Sequence, residues 1–208
     1  MKQLNQFGII PFSNKILKSM LVNYKSPNDK ISSMMNSGDI IQIKKGMYVT
    51  SNDYRNQKIS TELLANVIYG PSYISLDFAL SYYGLVPEKV TVVTSITTKR
   101  AINFSTCFCD FSYTHASLHY YPIGITQQSI NNQFNFLIAT PEKALCDKIV
   151  FTKNVHLKNE KSMNSFLVDD LRIELKLIKQ LNVTIIQNCI NVGYKQKELE
   201  LLMKIIKY

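Results

Sequence analysis

Four groups of residues in this chain have types and spacings that could do chemistry. Cys107-x-Cys109 followed by His115-x3-His119 offers two thiols and two imidazoles, the donor set of a tetrahedral zinc site. Glu174-x-Lys176, with Asp169 and Asp170 upstream, mimics part of a metal-dependent nuclease, where an acid and a lysine at a strand edge hold a metal and a water. Lys143, Asp147 and Lys148 fall within about one turn of each other in "PEKALCDK". Lys44-Lys45-Gly46 sets two like charges side by side at the tip of "GDIIQIKKGMYVT".

Ordinary structure accounts for the first three. A single residue between two cysteines is unusual for a zinc knuckle, and strand alternation would put both pairs on faces already taken by Phe and Tyr. Around Glu174, the residues Phe166, Leu167, Leu171, Leu175 and Ile178 recur with a helical period, so the acids read as a solvated helix face. Lys143 and Asp147 form an i,i+4 pair, for which a helix salt bridge is sufficient. No Gly-rich phosphate loop, Ser-His-Asp arrangement or pair of catalytic carboxylates occurs. The expectation is a protein with no catalytic residue, no metal and no cofactor.

The lysine pair fits the charge of the whole chain. Net charge is +9 and the pI is near 9.3, a surplus that suits a polyanionic partner. Residues 1–55 hold eight Lys/Arg against three Asp/Glu, residues 56–155 seven against six, and residues 156–208 nine against six. The excess is densest in the first quarter. No window approaches the roughly 18–20 apolar residues that cross a bilayer, which sets a membrane partner aside. "MKQLNQFGIIPFSNK" lacks an apolar core and a cleavage site, and four cysteines show no disulfide spacing, so a cytoplasmic protein is expected.

The elements around the lysines have a definite order. "FSNKILKSMLVNY" carries Ile16, Leu17, Met20 and Leu21 at helical spacing, with Ser13 as N-cap. In "KSPNDKISSMMNSGD", Ser26 and Pro27 start a second helix, Asp29 favours its positive end, Ile31, Met34 and Met35 form its apolar stripe, and Gly38 ends it. Ile41, Ile43, Met47 and Val49 then alternate as the buried face of a hairpin turned at Gly46. Helix, turn, helix and hairpin outline a winged helix-turn-helix, whose second helix enters the major groove of duplex DNA. Lys30, Ser33 and Asn36, with Lys25 and Asn28, are the candidate DNA contacts on that helix, and Lys44 and Lys45 are the candidate phosphate contacts of the wing.

Beyond the polar stretch "SNDYRNQ" the pattern is mixed. "ISTELLANVIYG" reads as a helix, and Ser75 caps a short helix through Leu80 that ends at Gly84. "KVTVVTSITTKR", "FCDFSYTH", "SLHYYPIGI" and "FNFLIAT" read as strands of an antiparallel sheet. "TPEKALCDKIVF" starts another helix, with Thr140 as cap and Pro141 in the first position. "SFLVDDLRIELKLIKQLN", "VTIIQNCINVG" and "YKQKELELLMKIIKY" read as three amphipathic helices. Thr97, Thr98, Lys99 and Arg100 close a strand with two hydroxyls and two cations, either a solvated strand end or an anion or partner surface.

In this order, "IKKGMYV", "GPSYISLDFALSYYGLVPE", "VTSITTKR" and "LIATPEKALCDKI" resemble the AbiEi antitoxin family of type IV toxin–antitoxin systems, over roughly residues 13–155. The pair "PSYISL" and "ATPEKAL" is the distinctive part. The resemblance implies a transcriptional regulator linked to phage defence and abortive infection. Its N-terminal winged helix would bind operator DNA upstream of its own operon. Its remainder would counteract a nucleotidyltransferase-like toxin without a stable complex. The N-terminus "MKQLNQFGII" departs from that pattern, being short and poorly helical before Pro11.

The expected fold is therefore α+β. A winged helix-turn-helix would span residues 1–55. A mixed α/β antitoxin domain with an antiparallel sheet would span residues 56–208, with C-terminal helices from about residue 163. Two alternatives stay open: a regulator of another operon whose second domain senses a ligand, and a nuclease or phosphotransferase.

Overall fold

Local signals set the first elements. The structure, a computed structural model, describes residues 2–207. A 3-10 segment, Lys2–Phe7, leads to a short strand β1 (Phe12–Ser13). Ser13 Oγ accepts from the Ile16 N–H at 3.3 Å and caps helix α1 (Asn14–Met20). Helix α2 (Pro27–Asn36) starts on its proline, but the Ser26 hydroxyl donates to the Asp29 carboxylate at 2.5 Å and does not cap the backbone. Gly38, at φ +76°, takes the left-handed turn that closes α2. Strands β2 (Ile40–Lys44) and β3 (Met47–Thr50) follow, and β1, β3 and β2 form an antiparallel sheet in that order.

The hairpin is buried on both faces, not one. Successive side chains on a strand point to opposite sides. Ile40 and Tyr48 join Leu4, Phe12, Leu17, Leu21, Ile31 and Met34 in a small cluster, whereas Ile43 and Val49 enter the main core. The hairpin is thus a layer between two packed groups of side chains and is not a projecting flap.

The second sheet is mixed. Its strands are β4 (Ser72–Ile74), β5 (Val93–Thr97), β6 (Ile102–Ser105), β7 (Asp110–His115), β8 (Ile125–Ile130) and β9 (Phe134–Ala139), in the order β6-β7-β5-β4-β9-β8. The expected antiparallel pairing holds for β4 with β5, β6 with β7 and β8 with β9, but β4–β9 and β5–β7 are parallel. "SLHYYPIGI" forms turns instead of a strand, because Pro122 has no N–H to donate to a ladder and Gly124 sits at φ +63°. The strand begins only at Ile125.

Helices cover both faces of this sheet. The Tyr113 hydroxyl donates to the Ala65 carbonyl on α3 (Thr61–Ile68) at 2.6 Å, and the Tyr73 hydroxyl reaches Asp147 on α5 (Pro141–Phe151). Tyr113 pairs with Ser95, and Tyr73 with its neighbour Ile96, so the two tyrosines leave the sheet on opposite sides. α4 (Leu76–Tyr82) packs beside α5. The stretch expected as one helix from Ser165 to Asn182 is broken: α6 (Glu160–Ser165) runs into a π-helical turn at Phe166–Asp170, and Arg172 takes φ +53° before α7 (Leu175–Ile178). α8 (Val183–Asn191) and α9 (Gln196–Lys207) complete the layer, α9 burying Leu199, Leu202, Met203 and Ile206. Among the described residues no helix is long and apolar enough to cross a membrane.

Candidate nucleic-acid interface and a buried charge network

The candidate DNA contacts separate into two groups. On α2 and just before it, Lys25, Asn28, Ser33 and Asn36 are exposed, and Lys30 is partly covered, its Nζ 5.7 Å from the Tyr24 ring centroid. Lys30, Ser33 and Asn36 are each three residues apart and so follow one stripe along the helix, with Lys30 bordering the buried Met34 and Ser33 and Asn36 turned farther from the Ile31–Met34 face. Lys45 is exposed at the hairpin turn beside the start of α1, where the Asn14 N–H donates to the Gly46 carbonyl at 2.8 Å. Lys15 and Lys18 on α1 are exposed as well; sequence reasoning missed them, although their charge and helical spacing were a usable signal. Among the described residues Lys15, Lys18, Lys25 and Lys45 make no ion pair or hydrogen bond through their ammonium groups. Their charge is left to solvent.

Lys44 differs from Lys45 in not projecting from the hairpin tip. It is half-buried, donates to the Ile68 carbonyl at the end of α3, and lies 5.7 Å from the Phe104 ring centroid. Burial, and then the nearby charge of Lys99, pull its pKa below the ordinary lysine value. Lys99 donates to the Gly70 carbonyl and sits 5.3 Å from the Tyr69 ring centroid. Both ammoniums therefore occupy the negative end of α3, where cations are favoured.

The group Thr97 to Arg100 is also split. Thr97 is fully buried and its hydroxyl donates to the Pro71 carbonyl at 2.8 Å, so it belongs to the core and is no part of a surface. Thr98 is partly exposed, and Lys99 and Arg100 are exposed. With Tyr69 and His115 they line an open groove of about 820 Å³.

The Lys143–Asp147 pair, read from sequence as an i,i+4 helix salt bridge, does form, but in the core. Both side chains have 0% exposure, and Lys143 Nζ is 3.0 Å from Asp147 Oδ1. The other carboxylate oxygen accepts from the hydroxyls of Ser75 at 2.6 Å and Tyr73 at 3.1 Å. Lys143 Nζ also donates to the Tyr120 carbonyl at 3.3 Å and lies 3.1 Å from the Tyr120 ring centroid. Burial, reinforced by the Asp147 charge, pushes the Tyr73 and Tyr120 hydroxyls well above the ordinary tyrosine value. Ser75 thus serves Asp147 and does not cap α4. The backbone closes tightly here: a Cβ on Gly124 would lie 2.8 Å from Lys143 Cβ and 2.9 Å from Ile185 Cγ2.

This network ties "PSYISL" to "ATPEKALCDK". Tyr73 and Ser75 come from the first block, Lys143 and Asp147 from the second, and the groups are closed off from solvent. The sequence signal was two hydroxyls spaced two apart on one side of a short apolar strand, a spacing that asks for a polar partner. Lys148 points the other way and pairs with Asp77 at 2.7 Å. Elsewhere, Lys176 pairs with Glu174 at 2.6 Å on the surface, His115 Nδ1 is 3.0 Å from the Lys99 carbonyl, and Cys107 is exposed while Cys109 is half-buried. Among the described residues no three His, Cys, Asp or Glu side chains are placed to hold a metal.

No family model and no curated protein matches the chain.

Proposed function

We propose that the N-terminal segment is a winged helix-turn-helix that binds duplex DNA, and that the protein is a transcriptional regulator acting as the antitoxin of a type IV toxin–antitoxin system. The observation that carries the DNA reading is the unpaired cationic surface around α2. Lys25 and Lys45, with Lys15 and Lys18 on α1, have no carboxylate partner among the described residues, and they flank the small polar side chains Asn28, Ser33 and Asn36. Ammoniums left to solvent gain by displacing counterions from phosphates, and short amides and hydroxyls fit base edges. The order 3-10 segment, β1, α1, α2, β2, β3 supports the same reading, with the 3-10 segment in the place of a first helix.

The antitoxin half of the reading rests on the paired blocks "PSYISL" and "ATPEKAL". Tyr73 and Ser75 of the first block and Lys143 of the second belong to the buried network, so these three side chains are not part of a surface that counteracts a nucleotidyltransferase-like toxin. In this reading the toxin is countered without a stable complex, in the cytoplasm. One observation favours a ligand-sensing regulator as a second reading. A cavity of about 320 Å³ between the N-terminal segment and the β8–β9 turn is lined by Gly8, Asp53, Arg55, Gln57 and Phe134, and Arg55 Nε and Gln57 Oε1 have no hydrogen-bond partner there.

The deciding experiment is a mobility-shift titration against the DNA upstream of the protein's own gene, beside a scrambled duplex, at two salt concentrations. Preference for the upstream duplex, lost in a Lys30→Ala/Asn36→Ala variant, is the expected result. Equal binding to both duplexes would reduce the surface to a nonspecific polycation. Co-expression with a neighbouring nucleotidyltransferase-like gene, scored by growth rescue, tests the antitoxin role separately.

A further inference from the structure

We infer that the groove lined by Tyr69, Lys99, Arg100 and His115, with Lys44 close to Lys99 beside it, binds the phosphate backbone of the same duplex, beyond the stretch contacted by α2 and Lys45. The inference rests on the DNA-binding reading above and extends it to residues outside the N-terminal segment.

Four observations carry it. First, no carboxylate lines the groove, and Lys44, Lys99 and Arg100 make no ion pair among the described residues, so only neutral carbonyls and rings offset their charge. Holding two ammoniums near each other costs free energy in the unbound protein, and a polyanion removes that cost on binding. Second, the ammoniums are already held in place. Lys44 and Lys99 are tethered to carbonyls two residues apart, Ile68 and Gly70, and each lies near an aromatic ring. Each ammonium has three donors, so the tether leaves others for phosphate oxygens, and binding freezes out less side-chain freedom. Third, Arg100 is exposed and its guanidinium makes no hydrogen bond or ion pair among the described residues, which leaves its planar fork free for bidentate contact with phosphate. Fourth, Lys44, the chain neighbour of Lys45, lies near Lys99, which links the hairpin to the edge of the groove.

The aromatic ring argues for a duplex over unpaired strands. Tyr69 carries Lys99 at 5.3 Å from its centroid and is flanked by Phe104 and Tyr113, so it offers no free face for base stacking. His115 donates its Nδ1 proton to the Lys99 carbonyl, since a carbonyl can only accept, and this steadies the β5–β6 turn.

The test uses the full chain and fluorescence anisotropy with the upstream duplex across a salt series. Arg100→Ala should lower the slope of log K against log salt by about 0.9, and Lys99→Ala/Arg100→Ala by about 1.8, one step for each phosphate that is no longer neutralised. Because Arg100 is exposed and makes no hydrogen bond or ion pair among the described residues, its single variant reads binding with little effect on the fold. A wild-type slope in both variants, while Lys30→Ala/Asn36→Ala abolishes binding, overturns the groove and leaves the α2 reading standing. A reduced slope in the groove variants with α2 variants unaffected supports the groove and removes α2 from the interface. Absence of salt-dependent binding by the wild type overturns both.

Discussion

Replacing Asp147 with Asn leaves Lys143 buried without its counter-charge while keeping the volume and an oxygen for Tyr73 and Ser75. Removing one partner of a buried pair costs about 3–5 kcal/mol, against about 0–1 for a pair in water. With both side chains at 0% exposure, the larger figure applies. For a chain of this length each kcal/mol is worth roughly 2–4 °C in Tm, so Asp147→Asn should lower Tm by roughly 6–20 °C. Thermal unfolding followed by circular dichroism reads the shift, and urea unfolding checks that the slope with denaturant is unchanged. Lys143→Met tested alone and with Asp147→Leu completes a double-mutant cycle. The double variant should be destabilised clearly less than the sum of Lys143→Met and Asp147→Leu, since it strands no charge. A drop of less than about 4 °C for Asp147→Asn would mean that water reaches the pair, and the buried-network reasoning would be wrong.

Gly124→Ala should cost about 2–5 kcal/mol by chemical denaturation, because the residue sits at φ +63° and its Cβ would meet Lys143 and Ile185; a neutral result would require the turn to move. Thiol labelling of the native protein should modify Cys107 fast and Cys109 slowly, burial pushing the latter's thiol up to about 11, with Cys146 and Cys189 protected; Cys107→Ser should abolish the fast phase. Asp39 accepts from the hydroxyls of Ser37 at 2.6 Å and Tyr54 at 2.5 Å, bonds that hold its carboxyl below the usual Asp value. A lowered folded pKa contributes stability that is present above the unfolded Asp range, near pH 4, and is lost as pH falls through the folded value. Asp39→Asn should therefore flatten the acid limb of the stability–pH curve below about pH 4, and an unchanged limb would count against those bonds.

Reading the residues in order was enough wherever one turn of chain held the whole cause. Ser13 and Thr140 cap α1 and α5 as their positions suggest, accepting from Ile16 and Lys143 N–H groups, and Gly38 ends α2 because a side chain resists its φ. The stripes Ile31–Met34 and Leu199–Leu202–Met203–Ile206 likewise face the core where their periods put them. The exposed residues of α2 were legible for the same reason, being the complement of a local stripe.

What tertiary structure decided is everything that depends on what packs against an element. A lysine and an aspartate four residues apart look alike on a wet helix and a buried one; only the arrival of Tyr73, Ser75 and Tyr120 on α5 makes the pair dry. Lys44 looks like a hairpin tip until the far face of the hairpin, Ile43 and Val49, enters the main core and brings the lysine to the end of α3. The parallel pairings β4–β9 and β5–β7 are equally invisible locally, because alternation tells a strand which face is apolar but not the direction of its neighbour. Periodicity is a property of a few consecutive residues, whereas burial and strand direction belong to contacts between residues far apart in the chain.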